Sequence, residues 1–300
     1  ITDFPEFELA ITIDRPELYY DFLQKDWTRF CHDYWKNNFL EHHTLSQKRV
    51  TRIYIGNQFC HNLFPRKELL FQVLEKALEN NLAVTLAFSY IRNHLLEEID
   101  ELLQELEVWC QSREKEAGKD QEEIIVNDWA MPILLQGKPH LKPVLGVLLN
   151  KRRKDVRLPY KHGIGNHVDS LAANNLNCGF YQDYLKNTFD IQRFEFESCG
   201  YKVTIPDGHH SLHLPFFQTN TSQYCTLYAV CRYGDRGKQK LPENCPRYCN
   251  KKVFLYPKHL KMVGRYNSLF GYDEKILWDE KQLQDYLEQG IDRIVVNVSL

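Results

Sequence analysis

The chain lacks any apolar run that approaches the roughly 18 residues that a membrane-spanning helix needs. Its first residues, ITDFPEFELA, have neither the basic segment nor the apolar segment of a secretory signal. An excess of charge of one sign is also missing, because 38 Lys and Arg stand against 40 Asp and Glu. This balance argues against a chain-wide attraction to nucleic acid or to acidic membranes. We therefore expect a cytoplasmic protein without a membrane span that does not bind nucleic acid.

The common signatures of hydrolytic enzymes are absent as well. The sequence has no H-E-x-x-H zinc motif and no G-x-S-x-G nucleophile motif. Cys178 and Cys199 have histidines nearby in sequence, but a buried structural thiol is the simpler interpretation of each. There is no internal repeat, Pro/Ser-rich linker or low-complexity segment, so residues 1–300 are predicted to form a single domain.

Short apolar runs alternate with helical patterns along nearly the whole chain. Helices are predicted at 66–80, 91–116 and 281–289, where apolar residues recur at helical spacing. Strands are predicted at eight apolar, β-branched runs, namely 7–13, 51–56, 83–89, 123–128, 144–150, 193–198, 214–219 and 293–298. Several runs are continuous rather than alternating, as in parallel strands covered on both faces. The pattern predicts an α/β protein with a (β/α)8 TIM-type barrel, complete or distorted. The aromatic-rich segment 19–45 is predicted to be a helical insertion that packs over the barrel.

Five of the nine cysteines predict a metal centre. Cys60 stands far upstream, and the other four, which lie within 25 residues, are Cys225, Cys231, Cys245 and Cys249. The last two form a Cys-x3-Cys pair whose sulfurs can reach one metal centre, inside a cysteine-rich segment, 220–252. An odd number of cysteines suits a reducing compartment better than a secreted disulfide framework. Thiolates in this number suit an iron–sulfur cluster or zinc.

The predicted barrel indicates where the cysteines lie relative to its active-site face. Active sites of such barrels form at the carboxyl ends of the strands. Cys60 follows the predicted strand 51–56 by four residues, and Cys225 follows 214–219 by six. Because Cys245 and Cys249 come from the next loop, we expect all of these thiols to converge on one barrel face.

Two further groups of polar residues are candidates for binding a substrate. Asn127 and Asp128 end a predicted strand and should either face the barrel mouth or form a turn that caps the next helix. Glu195 and Glu197 alternate with phenylalanines, so one carboxylate set points inward. A carboxylate in that position must be paired or functional.

The histidines of P-D-G-H-H-S-L-H are a weaker candidate for a metal site. His209, His210 and His213 are predicted to lie in a turn that leads into a strand, as exposed or hydrogen-bonded side chains. If they were ligands, zinc would compete with iron as the metal.

The order of these motifs resembles the U32 peptidase-like family, and within it the single-domain UbiV-type proteins. The segments of this sequence that resemble those of the family are R-I-Y-I-G-N-Q-F-C ending at Cys60, H-L-P-F-F-Q-T-N-T-S-Q-Y-C ending at Cys225, and N-C-P-R-Y-C. R-F-E-F-E at 193–197 is similar to the acidic strand that precedes the cluster loop of the family, and K-M-V-G-R-Y-N at 261–267 to the segment that follows it. The resemblance spans about Arg52 to Asn297.

The resemblance implies a [4Fe–4S] cluster held by Cys60, Cys245, Cys249 and one of two further cysteines. Cys225 matches the Ser-x-x-Cys motif at the strand exit, and Cys231 gives a spacing closer to that of the UbiV-type proteins. We favour Cys225, with Cys231 as the alternative.

The resemblance also implies a function. The family includes oxygen-independent hydroxylases that use prephenate as oxygen donor, so this chain is expected to act on a ubiquinone precursor or a related small aromatic substrate. The substrate would enter near Asn127, Asp128 and Glu195. A homologous U32-family partner subunit, forming a heterodimer, is expected too. The alternatives are a collagenase-like U32 peptidase and a non-catalytic iron–sulfur partner subunit.

Overall fold

The computed structural model describes residues 5–117, 122–157, 171–242 and 244–298, in which eight parallel strands form a barrel. In chain order the barrel strands are β1 (Glu8–Ile13), β2 (Arg52–Gly56), β3 (Ala83–Ala87), β4 (Glu122–Val126), β5 (Leu141–Leu145), β6 (Glu195–Glu197), β7 (His210–Leu214) and β12 (Ile291–Val296). They are arranged in the order β5-β4-β3-β2-β1-β12-β7-β6. A parallel bridge between Leu145 and Phe194 joins the two outer strands and nearly closes the barrel. The predicted (β/α)8 barrel is confirmed.

A second, antiparallel sheet is inserted between β7 and β12. Its strands are β8 (Phe216–Thr221), β9 (Phe254–Leu255), β10 (Met262–Arg265) and β11 (Ser268–Tyr272), in the order β8-β11-β10-β9. This sheet was not predicted, because its strands are short and three of them lie in the region that follows the cysteines. It carries the candidate metal centre.

Strand periodicity separates the lumen of the barrel from its outer face. Leu9, Ile11 and Ile13 of β1 point outward into the large core between strands and helices. The residues that point inward form a small apolar layer across the lumen, made of Ala10, Tyr54, Ala87, Ile125, Val144 and Val295. The inward-facing positions on either side of this layer are mostly polar. Polar side chains therefore line both the amino end and the carboxyl end of the lumen.

Eight helices of the described residues surround the strands. They are α1 (Pro16–Gln24), α2 (Trp27–Asn37), α3 (Lys67–Glu79), α4 (Leu96–Ala117), α5 (Ala130–Leu134), α6 (Gly179–Phe189), α7 (Thr226–Tyr233) and α8 (Glu280–Glu288). The predicted helices at 66–80, 91–116 and 281–289 correspond to α3, α4 and α8. Among the helices of the described residues, none is long and apolar enough to cross a membrane.

The aromatic-rich segment forms α1 and α2, followed by a 3-10 turn at Thr44–Gln47. Asp26 caps α2 by accepting a hydrogen bond from the Arg29 backbone N–H at 2.9 Å. The hydroxyl of buried Tyr34 donates to the carbonyl of Val296 at 3.0 Å. This bond ties the helices to the carboxyl end of β12.

Two predicted strands were misplaced. The seventh barrel strand is His210–Leu214 rather than 214–219, and the chain passes into the second sheet at Pro215. The polar residues Ser211 and His213 face the lumen, so this strand does not show the apolar run by which the other strands were predicted. The fifth strand is Leu141–Leu145 rather than 144–150, because Pro143 interrupts its apolar pattern.

Candidate functional site

The turn between β10 and β11 contacts two of the cysteine-bearing segments directly. The Arg265 guanidinium donates through Nε and Nη2 to the carbonyl of Cys249, at 3.2 Å in both cases. The next carbonyl, that of Tyr266, accepts a hydrogen bond from Cys225 Sγ at 3.1 Å. Backbone and side chain of one short turn therefore fix the positions of two cysteines that are 24 residues apart in sequence.

Asn267, the next residue of this turn, reaches the segment that carries Cys60. Its Nδ2 donates to the carbonyl of Phe59 at 2.8 Å and to that of Ser222 at 2.7 Å. The Cys60 loop is also fixed from within, since Asn57 Oδ1 accepts from the backbone N–H groups of Phe59 and Cys60, both at 2.9 Å. The turn thus joins all three cysteine-bearing segments.

Four of the five candidate cysteines line one small pocket. They are Cys60, Cys225, Cys245 and Cys249, and the remaining walls are mostly apolar or aromatic, formed by Leu63, Leu227, Tyr228, Tyr248 and Tyr266. Cys225 precedes α7, and its Sγ accepts from the Tyr228 backbone N–H at 3.3 Å. Cys231 lies on α7 and packs against the same apolar cluster, but it does not line the pocket.

Burial in the pocket raises the pKa of three of its thiols, Cys60, Cys225 and Cys249. Burial raises the pKa of Cys60 to about 12, of Cys225 to about 11 and of Cys249 to about 12. The neighbouring cysteines raise these pKa values further, since thiolates close together repel one another. Because metal binding requires thiolates, loading this site would release protons.

Four thiols around one pocket are a donor set that suits an iron–sulfur cluster or a zinc ion. In the part of the chain that the structure describes, no three His, Cys, Asp or Glu side chains are grouped as ligands of one metal ion. Four thiolates on one zinc, at Zn–S distances of about 2.3 Å, would have to approach one another to roughly 4 Å. A [4Fe–4S] cluster takes one thiolate on each of its irons, so its ligands stand further apart.

A second pocket opens at the carboxyl ends of the barrel strands, where barrel enzymes carry their active sites. We call it the barrel-mouth pocket; its lining includes Thr12, Asp14, Tyr54, Asn57, Phe59, Glu197, His213, Tyr266 and Asn297. Tyr266 lines this pocket and the cysteine pocket alike. One side chain therefore forms a wall between the candidate metal centre and the barrel mouth.

Tyr266 has two unusual features. It is 2% exposed, yet its hydroxyl has no hydrogen-bond partner among the described residues. Its backbone is in the left-handed region, with φ of 55°, which a bulky side chain rarely adopts. Such a conformation persists only where the surrounding contacts enforce it, and it is enriched at functional sites.

The floor of the barrel-mouth pocket is a buried hydrogen-bonded group. His213 Nε2 lies 2.5 Å from Glu195 Oε2, and the Tyr54 hydroxyl donates to the two Glu195 oxygens at 3.1 and 3.3 Å. Tyr54 in turn accepts from Arg293 Nη1 at 3.2 Å. His213 and Tyr54 line the pocket, whereas Glu195 lies beneath them with no exposed surface.

The predicted substrate-binding residues are distributed over two places. Asn127 and Asp128 line an open cleft beside the barrel-mouth pocket, and Val147 lines both. Asp128 Oδ1 accepts from the backbone N–H groups of Ala130 and Met131, at 3.1 and 3.0 Å, so it forms the turn that caps α5. Glu195 is not in the cleft but in the lumen.

The side chain of Asn127 is occupied by structural hydrogen bonds. Its Nδ2 donates to the carbonyl of Phe88 at 2.8 Å, and its Oδ1 accepts from the Leu148 backbone N–H at 3.1 Å. At the barrel mouth itself stands Glu197, whose carboxylate pairs with Lys154 Nζ at 2.5 Å. The Glu197 carboxylate at the pocket is therefore neutralised by a lysine.

The three histidines of the P-D-G-H-H-S-L-H segment do not meet. His209 is exposed and pairs with Asp292 at 2.9 Å, and His210 points outward and stacks on Phe194. Only His213 faces the lumen, since β7 alternates its side chains between the two faces. Sequence reasoning named His213 only as a weak metal candidate and missed Tyr266 altogether; the alternation in S-L-H was the available signal that His213 faces the lumen.

Comparison of the chain with protein-family models, with curated proteins and with solved structures finds no match. The resemblance to the U32 family therefore stays a prediction that rests on the order of its motifs. The function has to be argued from the two pockets and from the side chains that line them.

Proposed function

We propose that this protein holds a [4Fe–4S] cluster on Cys60, Cys225, Cys245 and Cys249 and is a component of an oxygen-independent hydroxylase. The observation that carries the proposal is the convergence of these four thiols on one pocket that shares the Tyr266 wall with the barrel-mouth pocket. The proposed substrate is a small aromatic molecule, of the ubiquinone-precursor type or related to it, bound in the barrel-mouth pocket.

The residues around the cysteines have defined tasks in this proposal. A bound cluster supplies one-electron redox chemistry. The β10–β11 turn holds the cysteine segments in place through Arg265, Tyr266 and Asn267. Leu63 and Leu227 exclude water from the thiols, and a low local dielectric of this kind is one of the factors that set a cluster's reduction potential. Tyr266 separates the metal site from the substrate.

The proposal also includes a partner and a location. We expect a homologous U32-family subunit to form a heterodimer with this chain in the cytoplasm. The support is the resemblance to single-domain members, which resemble halves of a two-subunit enzyme. The peptidase alternative finds no support in the contacts of its candidate nucleophiles: Cys178 is exposed before α6, and buried Cys199 lies 3.2 Å from Arg152 Nη1.

The first experiment measures the metal. Protein purified anaerobically should be brown, with broad absorption near ~400 nm and roughly four irons and four sulfides per chain. Cys245→Ala and Cys249→Ala should lose the iron, whereas Cys31→Ala and Cys110→Ala, whose thiols lie on helices away from the pocket, should retain it. A colourless protein with stoichiometric zinc would disprove the cluster.

The second experiment measures the reaction. Anaerobic hydroxylation of a candidate aromatic acceptor is followed with and without prephenate, on this chain alone and with a homologous partner chain. Turnover that requires prephenate and is lost in Cys245→Ala supports the proposal. Turnover by the partner chain that this chain only stimulates would make it the non-catalytic subunit. Cleavage of gelatin that survives loss of Cys245 and Cys249 would favour the peptidase.

A further inference from the structure

The segment that carries Cys245 and Cys249 differs in charge from the rest of the chain. Residues 232–261 contain nine Lys and Arg against two Asp and Glu, whereas the remaining residues contain 29 against 38. A chain that is nearly neutral as a whole therefore concentrates its positive charge in one segment. Charge of one sign that is gathered in this way attracts partners of the opposite sign.

Most of these cations lie on the surface. The exposed ones are Arg232, Arg236, Lys238, Lys240, Lys251, Lys252, Lys258 and Lys261. Lys261 pairs with Glu274 at 2.6 Å, and the structure gives no ion pair between the others and a described acidic side chain. Like charges held close together repel one another, so a partner that supplies carboxylates would relieve this repulsion.

Two contacts join the exposed cations to the surroundings of the cysteine pocket. The Arg236 guanidinium lies over the ring of Phe254, 4.9 Å from its centre, and Phe254 packs against the apolar cluster that contains Cys249. Lys252 Nζ lies 5.9 Å from the centre of the Tyr248 ring, and Tyr248 lines the cysteine pocket. Single aromatic side chains therefore stand between these cations and the thiols.

Apolar side chains are exposed among the cations. β9 is an edge strand of the second sheet, and its Phe254 packs inward, so Val253 and Leu255 on either side of it point outward. Leu255 is 83% exposed and Val253 is 40% exposed. Apolar residues within a charged rim are typical of protein interfaces, whereas surfaces for single-stranded nucleic acid present aromatic rings to the bases. We call the exposed cations of 232–261, with Val253 and Leu255, the basic face.

We propose that the basic face docks an acidic one-electron carrier protein, of the ferredoxin or flavodoxin class, next to the cysteine pocket. The inference rests on the proposed function and names its electron-donating partner. Carboxylates of the carrier pair with the cations and steer the encounter, and Val253 and Leu255 form the apolar centre of the contact. One electron leaves the carrier and enters the bound cluster, while no bond breaks and no proton moves.

The test measures binding with probes of opposite charge. An acidic ferredoxin, an acidic flavodoxin, the basic carrier cytochrome c and a single-stranded RNA oligonucleotide are each titrated calorimetrically into anaerobically purified protein. We expect both acidic carriers to bind, and cytochrome c to bind at least about tenfold more weakly. Raising the salt concentration from roughly 0.05 to 0.3 M should weaken carrier binding by about tenfold, because salt screens the charges.

Variants assign the binding to the basic face. Lys240→Glu combined with Lys251→Glu should weaken ferredoxin binding by about tenfold or more, because each reversal replaces attraction by repulsion. The matched control is Lys186→Glu combined with Lys281→Glu, which reverses two exposed lysines on α6 and α8 and should change binding less than about threefold. Leu255→Ser should weaken binding at either salt concentration. Iron analysis of each variant checks that the cysteine pocket is intact.

Equal affinity for the acidic carriers and for cytochrome c would overturn the inference, as would equal weakening in the two double variants. Lysines also protect edge strands from aggregation, and binding that is unaffected in Lys240→Glu with Lys251→Glu would leave them only that role. RNA that binds more tightly than both carriers would make the basic face a nucleic-acid surface instead.

The outcomes separate this inference from the proposed function. A colourless protein that binds the carriers through Lys240 and Lys251 contradicts the proposed function alone, because calorimetric binding does not depend on iron. A brown protein that hydroxylates its substrate but binds neither carrier contradicts this inference alone.

Discussion

The two ends of the barrel lumen differ in how their polar groups are used. At the amino end, Arg293 donates to both oxygens of Glu123, at 2.6 and 3.0 Å, and to Glu8 at 2.6 Å. At the carboxyl end, the buried Tyr266 hydroxyl has no hydrogen-bond partner among the described residues. The amino end uses its charges to hold strands together, whereas the carboxyl end leaves a buried hydroxyl without a hydrogen bond.

The electrostatics of the amino end agree with a structural role. Burial alone would raise the pKa of Glu123, but the guanidiniums of Arg293 and Arg52 outweigh it and lower the pKa to about 2. A carboxylate that is held ionised so firmly is a poor proton carrier near neutral pH. It stabilises the fold instead.

The largest effect should come from the cysteine pocket, which exists only at the carboxyl end. We expect Cys225→Ala to lose the iron completely and Cys231→Ala to retain it, because only Cys225 lines the pocket. Iron and sulfide analysis of anaerobically purified variants measures this. If Cys231→Ala lost the iron and Cys225→Ala retained it, Cys231 would replace Cys225 in the ligand set.

The second-largest effect should come from removing Arg293, which pairs with Glu123 at the amino end of the lumen. Arg293→Met should lower the free energy of unfolding by about 3–5 kcal/mol, since it leaves buried Glu123 without its main counter-charge. Urea unfolding followed by circular dichroism measures the change. The matched control is Arg157→Met, whose exposed pair with Asp155 is screened by solvent and should contribute little to the free energy of unfolding. Equal losses of unfolding free energy in the two variants would contradict the structural role that we assign to Arg293.

Low pH should remove the stabilisation that the pair of Glu123 and Arg293 contributes. The folded-state pKa of Glu123, about 2, lies below the value of roughly 4.3 in an unfolded chain. The pair therefore stabilises fully above about pH 5, and this contribution is lost as the pH falls towards 2. Glu123→Gln should cost on the order of 3 kcal/mol at pH 6 and progressively less below pH 4. A cost that does not vary with pH would contradict the assignment.

The smallest expected effect comes from removing the hydroxyl groups of two buried tyrosines, Tyr54 and Tyr266. Tyr54→Phe should lower the free energy of unfolding by about 1–3 kcal/mol, because Glu195 loses a buried donor. Tyr266→Phe should change it by less than about 1 kcal/mol in either direction, since its hydroxyl has no partner to lose. Thermal and urea unfolding of both variants measure the difference. A larger loss for Tyr266→Phe would reveal a structural hydroxyl.

The prediction of the fold succeeded where the outward face of a strand is a run of Val, Ile and Leu. The runs that became β1, β2, β3 and β4 were found within two residues of their ends, since Val, Ile and Leu fill the outer core there and Ala10, Ala87 and Ile125 keep the inward face partly apolar. β7 was misplaced because Ser211 and His213 fill the lumen on its inner face. The second sheet was missed because its short strands pair only after the chain has folded back.

The sequence by itself determined the barrel, through alternating apolar runs and helical patterns, and it pointed to the cysteines through their number and spacing. Only the tertiary structure decided which of these thiols share a pocket, that Cys231 stands outside it, and that Tyr266 and His213 meet at the barrel mouth. The physical reason is that local patterns fix which face of a strand is buried. Which side chains lie together across the barrel depends on strand register and on a turn far away in sequence.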